Sequence, residues 1–402
     1  MFIRNLLTVI ILTASFAFAE LDRPRYVWSE PYEPSLEIAG EGYDLEWTPG
    51  DETAVLERRD RTFELAMGGG DFLLGCLDGY LYFGRRQGDG EDTSGLRIRR
   101  MHLDDADLGF VVDMYELPAQ PDFAEYALSP EGDRLAAAVG GDEHQVEVLV
   151  YSLGRKCEVV ERRTFPVKTD QIRVSVHLLE WSDDGESLYM NFHPHSPASD
   201  EFLDLQPLLR WNLTTDMVTE VLGEVGWVLP VAGRDGRTVV LAEETAAAPA
   251  FWTMPWGCNP GYAPYGLARW HELDLATGKL SPLVSTDPPG AEQLFDGDPQ
   301  TVWRGERVTV DLGRPLPLDG FLVVGGYAGG GETTPQDTVT WDTRFELAPH
   351  ESPYELRGST ERIPVDDVVE TVELTCFSND PEREEQAVTA ELVPLFAFWP
   401  VP

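Results

Sequence analysis

Cysteine and lysine are scarce, and helical periodicity is nearly missing. The four cysteines, Cys76, Cys157, Cys258 and Cys376, are widely spaced and form no CxxC pair, which argues against a zinc cage. Cys76 and Cys157 fall in strand-like runs that suit buried thiols, whereas Cys258 lies in a loop and suits a bridge; the pairing stays open among three choices. Lysine occurs only at Lys156, Lys168 and Lys279, and 30 basic residues face 71 acidic ones, a formal net charge of −41. A chain of that charge repels phosphate backbones, so nucleic acid is excluded as a partner. The acidity has two readings, a solubilising surface and the steering of cationic ligands. Disorder is excluded too, because 42% hydrophobic and 10% aromatic residues can build a sizeable core.

Long apolar runs are confined to the start of the chain. Arg4, the apolar stretch Leu6 to Ala17 and the small-x-small signature Ala17-Phe18-Ala19 form the three parts of a secretory signal peptide over residues 1–19. The run is shorter than the ~20 residues that span a bilayer. Removing it leaves 29 basic and 71 acidic groups, a net charge of −42. The expected location is secreted, periplasmic or cell-surface, with no transmembrane span.

Catalytic signatures are lacking as well. There is no Gly-x-Ser-x-Gly elbow, no His-Glu-x-x-His, no glycine-rich phosphate loop and no reactive-cysteine context, so the chain reads as a protein that is not an enzyme. His193-Pro194-His195 with Asp200 and Glu201 reads as an inter-strand loop rather than a metal site. Asn212-Leu213-Thr214 fits a glycosylation acceptor but coincides with a turn. The acidic runs Asp104-Asp105-Ala106-Asp107 and Asp200 to Asp204 lack the spacing and central glycine of a calcium loop. No cofactor is expected; Ca²⁺ is the one ion the acidic loops admit.

What is present is repetition. Leu128-Ser129-Pro130-Glu131-Gly132-Asp133-Arg134 precedes an apolar run, and Trp181-Ser182-Asp183-Asp184-Gly185-Glu186-Ser187 repeats the phrase. Looser copies occur at Trp47 to Asp51, at Leu77-Asp78-Gly79-Tyr80 and at Gly233 to Arg237. A second phrase closes several units: Trp211-Asn212-Leu213-Thr214-Thr215-Asp216, and Leu273-Asp274-Leu275-Ala276-Thr277-Gly278-Lys279. Each predicts a hairpin, since Asp-Gly supplies positive φ and the flanking β-branched or aromatic residues supply strands. Four-stranded units apolar on both faces hide those faces by stacking radially. The fold class expected is all-β, a β-propeller of five recognisable blades, six if divergent ones are counted, over residues 20–286, followed by a β-sandwich jelly roll over 288–402. The paired turns resemble the blades of TolB-type and related WD40-like propellers over residues 36–286.

Ser285-Thr286-Asp287-Pro288-Pro289-Gly290 reads as a stiff polar linker. Beyond it, the order Asp296-Gly297-Asp298, Thr301-Val302-Trp303, Val308-Thr309-Val310-Asp311-Leu312-Gly313, with a second strand at Gly320 to Val324, resembles a discoidin-like, galactose-binding-type jelly roll. It is similar to the glycan-binding domain first associated with secreted NAD glycohydrolases, in which segments like Tyr327-Ala328 and Arg344 to Leu347 also occur. The acidic loop Glu382 to Glu385 and a missing central-strand lysine depart from that pattern. The resemblance implies a carbohydrate site of Asp296, Asp298, Trp303, Tyr327 and Arg344. Asp296 and Trp303 could equally tie down the loop and plug the core. A second aromatic stretch, with Phe251, Trp252, Trp256, Tyr262, Tyr265 and Trp270 among Pro and Gly, suits either recognition or packing between domains.

The function expected from these readings is an exported, non-enzymatic carbohydrate-binding or cell-surface recognition protein, with a glycan as partner and the propeller face as a platform for a protein. Its alternatives are a protein-interaction scaffold and a five-bladed glycoside hydrolase.

Overall fold

A computed structural model describes residues 21–30, 33–40, 42–48, 51–58, 61–68, 70–87, 94–104, 111–120, 124–140, 145–153, 157–167, 173–195, 206–229, 238–246, 267–295, 303–304, 307–325, 343–348, 354–355, 360–378 and 388–396. It is nearly all β, a five-bladed β-propeller arrangement, with five antiparallel sheets and no α-helix among the described residues.

Sheet 1 is β1 to β5 (Arg25–Glu30, Glu33–Gly40, Tyr43–Trp47, Thr53–Arg58, Arg61–Ala66). Sheet 2 is β6 to β9 (Asp71–Leu77, Tyr80–Gln87, Ser94–His102, Val111–Gln120), and sheet 3 is β10 to β13 (Ala124–Leu128, Arg134–Gly140, Gln145–Leu153, Cys157–Pro166). Sheet 4 is β14 to β20 (Arg173–Trp181, Ser187–His195, Gln206–Asn212, Met217–Leu229, Thr238–Ala246, Leu267–Asp274, Leu280–Pro282). Sheet 5 holds β21 (Ser285–Asp287), β22 (Trp303–Arg304), β23 (Arg307–Gly325), β24 (Thr343–Ala348), β25 (Tyr354–Glu355), β26 (Thr360–Ser378) and β27 (Val388–Phe396). Its strand order is β22-β27-β23-β26-β24-β25, with β21 on β23.

The repeated phrases are the turns that set this pattern. In the first, Ser129 N donates to Arg134 O, Gly132 N to Ser129 O and Arg134 N to Ser129 Oγ. In the second, Ser182 N donates to Ser187 O, Gly185 N to Ser182 O and Ser187 N to Ser182 Oγ. The serine hydroxyl closes the loop from within, and Gly132 and Gly185 take φ of 67° and 65°, a region that suits glycine. The closing phrase relies on an Asx side chain: Asp274 Oδ1 accepts from Ala276 N and Thr277 N, and Asn212 Oδ1 from Thr215 N.

The core is divided among the gaps between sheets. One cluster, with Ile38, Leu45, Leu56, Leu81 and Phe83, joins sheets 1 and 2. Another, with Leu77, Ile98, Leu135 and Tyr151, joins sheets 2 and 3. A third, with Val148, Phe165, Trp181 and Trp211, joins sheets 3 and 4. A fourth packs Val240 and Trp270 of sheet 4 against Val308, Phe321, Val372 and Leu374 of sheet 5, with Leu36 alongside, and a fifth, with Leu178, Tyr189, Leu208, Val225 and Leu273, lies within the seven-stranded sheet 4. Apolar faces hidden between successive sheets are the radial solution expected from the repeats.

Three local readings change. Ser285–Asp287, expected as linker, is the short strand β21, paired with β23 through Asp311, Val310 and Thr309. The strands expected at Val308–Gly313 and Gly320–Val324 are one strand, β23, whose register slips between Asp311 and Leu316 where Gly313 has φ of 75°. His193-Pro194-His195, expected in a loop, ends β15. Cys76 is a buried free thiol and Cys157 a half-buried one; Cys258 lies outside the described residues.

Candidate functional site

Most of the carbohydrate-site residues expected from sequence cannot be placed together. Asp296, Asp298 and Tyr327, and the aromatic-loop residues Trp252, Trp256, Tyr262 and Tyr265, lie outside the described residues. Trp303 opens β22 and Arg344 lies in β24, with β27, β23 and β26 between them. Four strand spacings put them about 19 Å apart along the sheet. Trp270, from the aromatic stretch, is a core residue between sheets 4 and 5, which favours packing at that position. No group of three or more His, Cys, Asp and Glu among the described residues could hold a metal ion, and no helix there is long and apolar enough to cross a membrane.

Other residues do converge. The first is an ionic cluster where the chain enters the ring. Asp22 pairs with Cys76 of β6, its N and O bonding the Cys76 O and N at 2.8 Å, and its carboxylate accepts from Tyr43 Oη at 2.6 Å. Gly75 permits this approach, because a Cβ there would lie 2.7 Å from Leu21 Cδ1 and 2.8 Å from Asp22 O. The chain then passes to β14 of sheet 4. Arg25 Nη1 lies 2.9 Å from Glu180 Oε1, Arg23 Nη1 3.7 Å from Glu180 Oε2, and Arg23 Nη2 3.3 Å from Asp183 Oδ1. The side chains of Arg23, Arg25, Glu180 and Asp183 are only 7%, 4%, 14% and 11% exposed. Burial lowers the Arg25 pKa, and Glu180 opposes the shift. Residues 21–25 thus form a strap from sheet 2 to sheet 4, and β1 continues onto β2 and against β23 and β26.

The strap lies at the end of the ring where the hairpin turns gather. Gly132 sits against Leu77, and Gly185 against Arg134 and Pro130. At the opposite end β6 and β10 begin, and here Glu125 stands on β10. It is open to solvent, yet protein crowds its carboxyl enough to push the pKa up to about 7, desolvation outweighing the pull of Arg86. Arg86 lies over the Phe72 ring at 5.7 Å, and Phe72 stacks on Tyr126 at 5.5 Å. Asp71 nearby is buried and takes a two-pronged bond from Arg85. The folded state holds the Glu125 proton more tightly than an unfolded chain with the ordinary value of 4.5. The stability this lends is complete below pH 4.5 and is lost as pH rises through about 7. Glu125→Gln should therefore match the wild type in Tm near pH 4.5 and exceed it increasingly up to pH 8, as measured by thermal scans across that range.

The third place is a face of sheet 1. Register aligns Glu37, Glu46, Val55 and Glu64 in one cross-strand row and Ala39, Asp44, Glu57 and Thr62 in the next. Five carboxylates therefore share one side, opposite the core side of Ile38, Leu45 and Leu56. Asp44, Glu46, Val55, Glu57 and Glu64 are exposed and Glu37 is half-buried. Arg25, opposite Glu37 on β1, is the only basic residue in these rows; it is buried, and its Nη1 bonds Glu180. The Glu37 pKa is raised by burial first and then by Asp44, with Glu46 adding to it. Like charges directly opposite one another in a sheet destabilise it. Sequence reasoning missed these residues; the one available signal was the alternation of acids with Ile and Leu across Glu37 to Glu64.

No family model matches the chain, and no curated protein matches it. Among solved structures, it is similar to the acylaminoacyl peptidase of Pyrococcus horikoshii, at 13% identity and TM-score 0.36 over 75% of this chain and 43% of that one. It is also similar to the tricorn protease, at 10% identity and TM-score 0.36 over 94% of this chain and 36% of that one. A third similar structure is a putative 6-phosphogluconolactonase from Bacteroides fragilis, at 14% identity and TM-score 0.31 over 93% and 98%. The chain spans less than half the length of the first two. The fold described above, a five-bladed β-propeller arrangement, rests on the sheets themselves and not on these likenesses. A peptidase, a protease and a putative lactonase stand where a non-enzymatic carbohydrate-binding protein was expected. That expectation is corrected in both halves, the glycan ligand and the absence of enzymatic activity. Of the residues chosen for the glycan, only Trp303 and Arg344 lie among the described residues, with three strands between them.

Proposed function

We propose that this is an exported propeller that engages a cationic ligand, a lysine- or arginine-bearing segment of a partner, on the acidic face of sheet 1. The carrying observation is the pair of cross-strand rows that set Glu37, Asp44, Glu46, Glu57 and Glu64 on one side of a sheet, with the buried Arg25, which leans on Glu180, as the only basic residue among them. Such an arrangement costs stability, and a bound cation relieves that cost. The net charge of −41 adds long-range attraction, which speeds encounter with positive partners and weakens with salt. Export is supported by the signal-like residues 1–19, and the discoidin-like reading of 288–402 by the order of its motifs from Asp296 to Leu347 alone.

The test uses the full chain and a fluorescent hexalysine peptide. Binding should be saturable and fall steeply between 50 mM and 300 mM salt, and Glu37→Gln/Glu46→Gln/Glu57→Gln should weaken it at least tenfold. Equal binding by the triple variant and the wild type would remove the reading. The same substitutions should stabilise the free protein by a few tenths to about 1 kcal/mol for each like-charge pair relieved. The raised Glu37 pKa means the folded state favours the protonated form, so this gain should be present at pH 7 and vanish as pH falls below the ordinary carboxyl range.

A further inference from the structure

The strap holds donors that the cluster does not use. Arg25 spends Nη1 on Pro24 O and Glu180 Oε1, both at 2.9 Å. Its Nε and Nη2 atoms, and Arg23 Nη1, are buried and hydrogen-bond to no protein acceptor. Nε and Nη2 form the side edge of a guanidinium, the fork that fits two coplanar oxygens. Elsewhere in the same molecule, Arg85 turns this edge onto a carboxylate, its Nε and Nη2 each 2.5 Å from an oxygen of Asp71. Arg23 meets the other oxygen of Glu180 at 3.7 Å. Buried charged donors left without acceptors are costly, and an anion with two oxygens would satisfy both atoms of the Arg25 edge.

We infer that the Arg25 fork is a buried binding site for a small oxyanion of the carboxylate or nitrate type. Chloride lacks the second oxygen, so the site prefers the small two-oxygen anions formate, acetate and nitrate. This site is at the strap, and its ligand is an anion where that of the acidic face is a cation, so the two readings fail separately.

The experiment follows the arginine Nε–H resonances of the full chain, labelled with nitrogen-15, while formate, acetate, nitrate or chloride is added at constant ionic strength. Arg25→Lys assigns the resonance, because lysine keeps the charge and loses the fork. One resonance, missing in Arg25→Lys, should move saturably with formate, acetate and nitrate and bind chloride at least tenfold more weakly. The wild type should also gain Tm saturably with acetate, and Arg25→Lys should lose that gain. If Arg25→Lys does not fold, Arg25 is assigned by selective mutation of the other arginines, and the titration of the wild type decides alone. A resonance that ignores every anion overturns the inference, whether water or a carboxylate of the chain itself serves the fork.

Discussion

Glu180→Ala is expected to destabilise the protein by about 3–5 kcal/mol, the penalty for removing one partner of a buried ion pair. The size follows from what stays behind. Arg25 would keep only Pro24 O as an acceptor, and Arg23 would keep Asp183 at 3.3 Å. Two guanidiniums with side chains 4% and 7% exposed would then share one carboxylate. The loss should appear as a lower urea midpoint, read by circular dichroism. Replacing Arg23, Arg25 and Glu180 together by Met should cost much less than Glu180→Ala, because no charge is stranded when the whole group becomes apolar. Equal losses in the two variants, or a Glu180→Ala loss under about 1 kcal/mol, typical of an exposed pair, would show that the strap does not bury its charges.

How much of this was open to sequence reading depends on the distance along the chain over which each feature is decided. The turns were legible because Ser129, Ser182, Asn212 and Asp274 complete their hydrogen bonds within five residues. From the turns followed the strands, and from strands apolar on both faces followed the radial stacking of sheets. The strap was not legible: Arg25 and Glu180 are 155 positions apart, and nothing local distinguishes their side chains from solvated ones in so acidic a sequence. The acidic face of sheet 1 lies between these limits. Glu37 and Glu46 look like ordinary surface acids until the β2–β3 register sets them opposite each other. Beyond residue 285 the motif Val308-Thr309-Val310-Asp311-Leu312-Gly313 correctly marked a strand. Its length was missed because Gly313 reads as a terminator, whereas here its positive φ accommodates an irregularity within one continuous strand.

Trp181→Ala should cost about 3–5 kcal/mol, the range for deleting a large aromatic side chain from a core. Trp181 closes β14 at the start of a repeated turn and is fully buried between sheets 3 and 4. It joins the two sheets in two ways. Its indole N–H donates to Ala127 O on β10 at 3.0 Å, and Arg134 of β11 lies over its ring at 4.8 Å while donating from Nη2 to Gly185 O at 2.7 Å. Alanine would remove the apolar area, the cross-sheet hydrogen bond and the surface on which Arg134 rests. Trp181→Phe separates these contributions, because it retains a ring while losing the N–H; its cost should be smaller, about 1 kcal/mol of it from the hydrogen bond. Both losses are read from urea midpoints followed by circular dichroism, which does not depend on the indole that is removed. Trp181→Ala tests the radial arrangement itself. In a propeller the contact of adjacent sheets is the core, so a cost as small as that of a surface substitution would mean that sheets 3 and 4 do not share one.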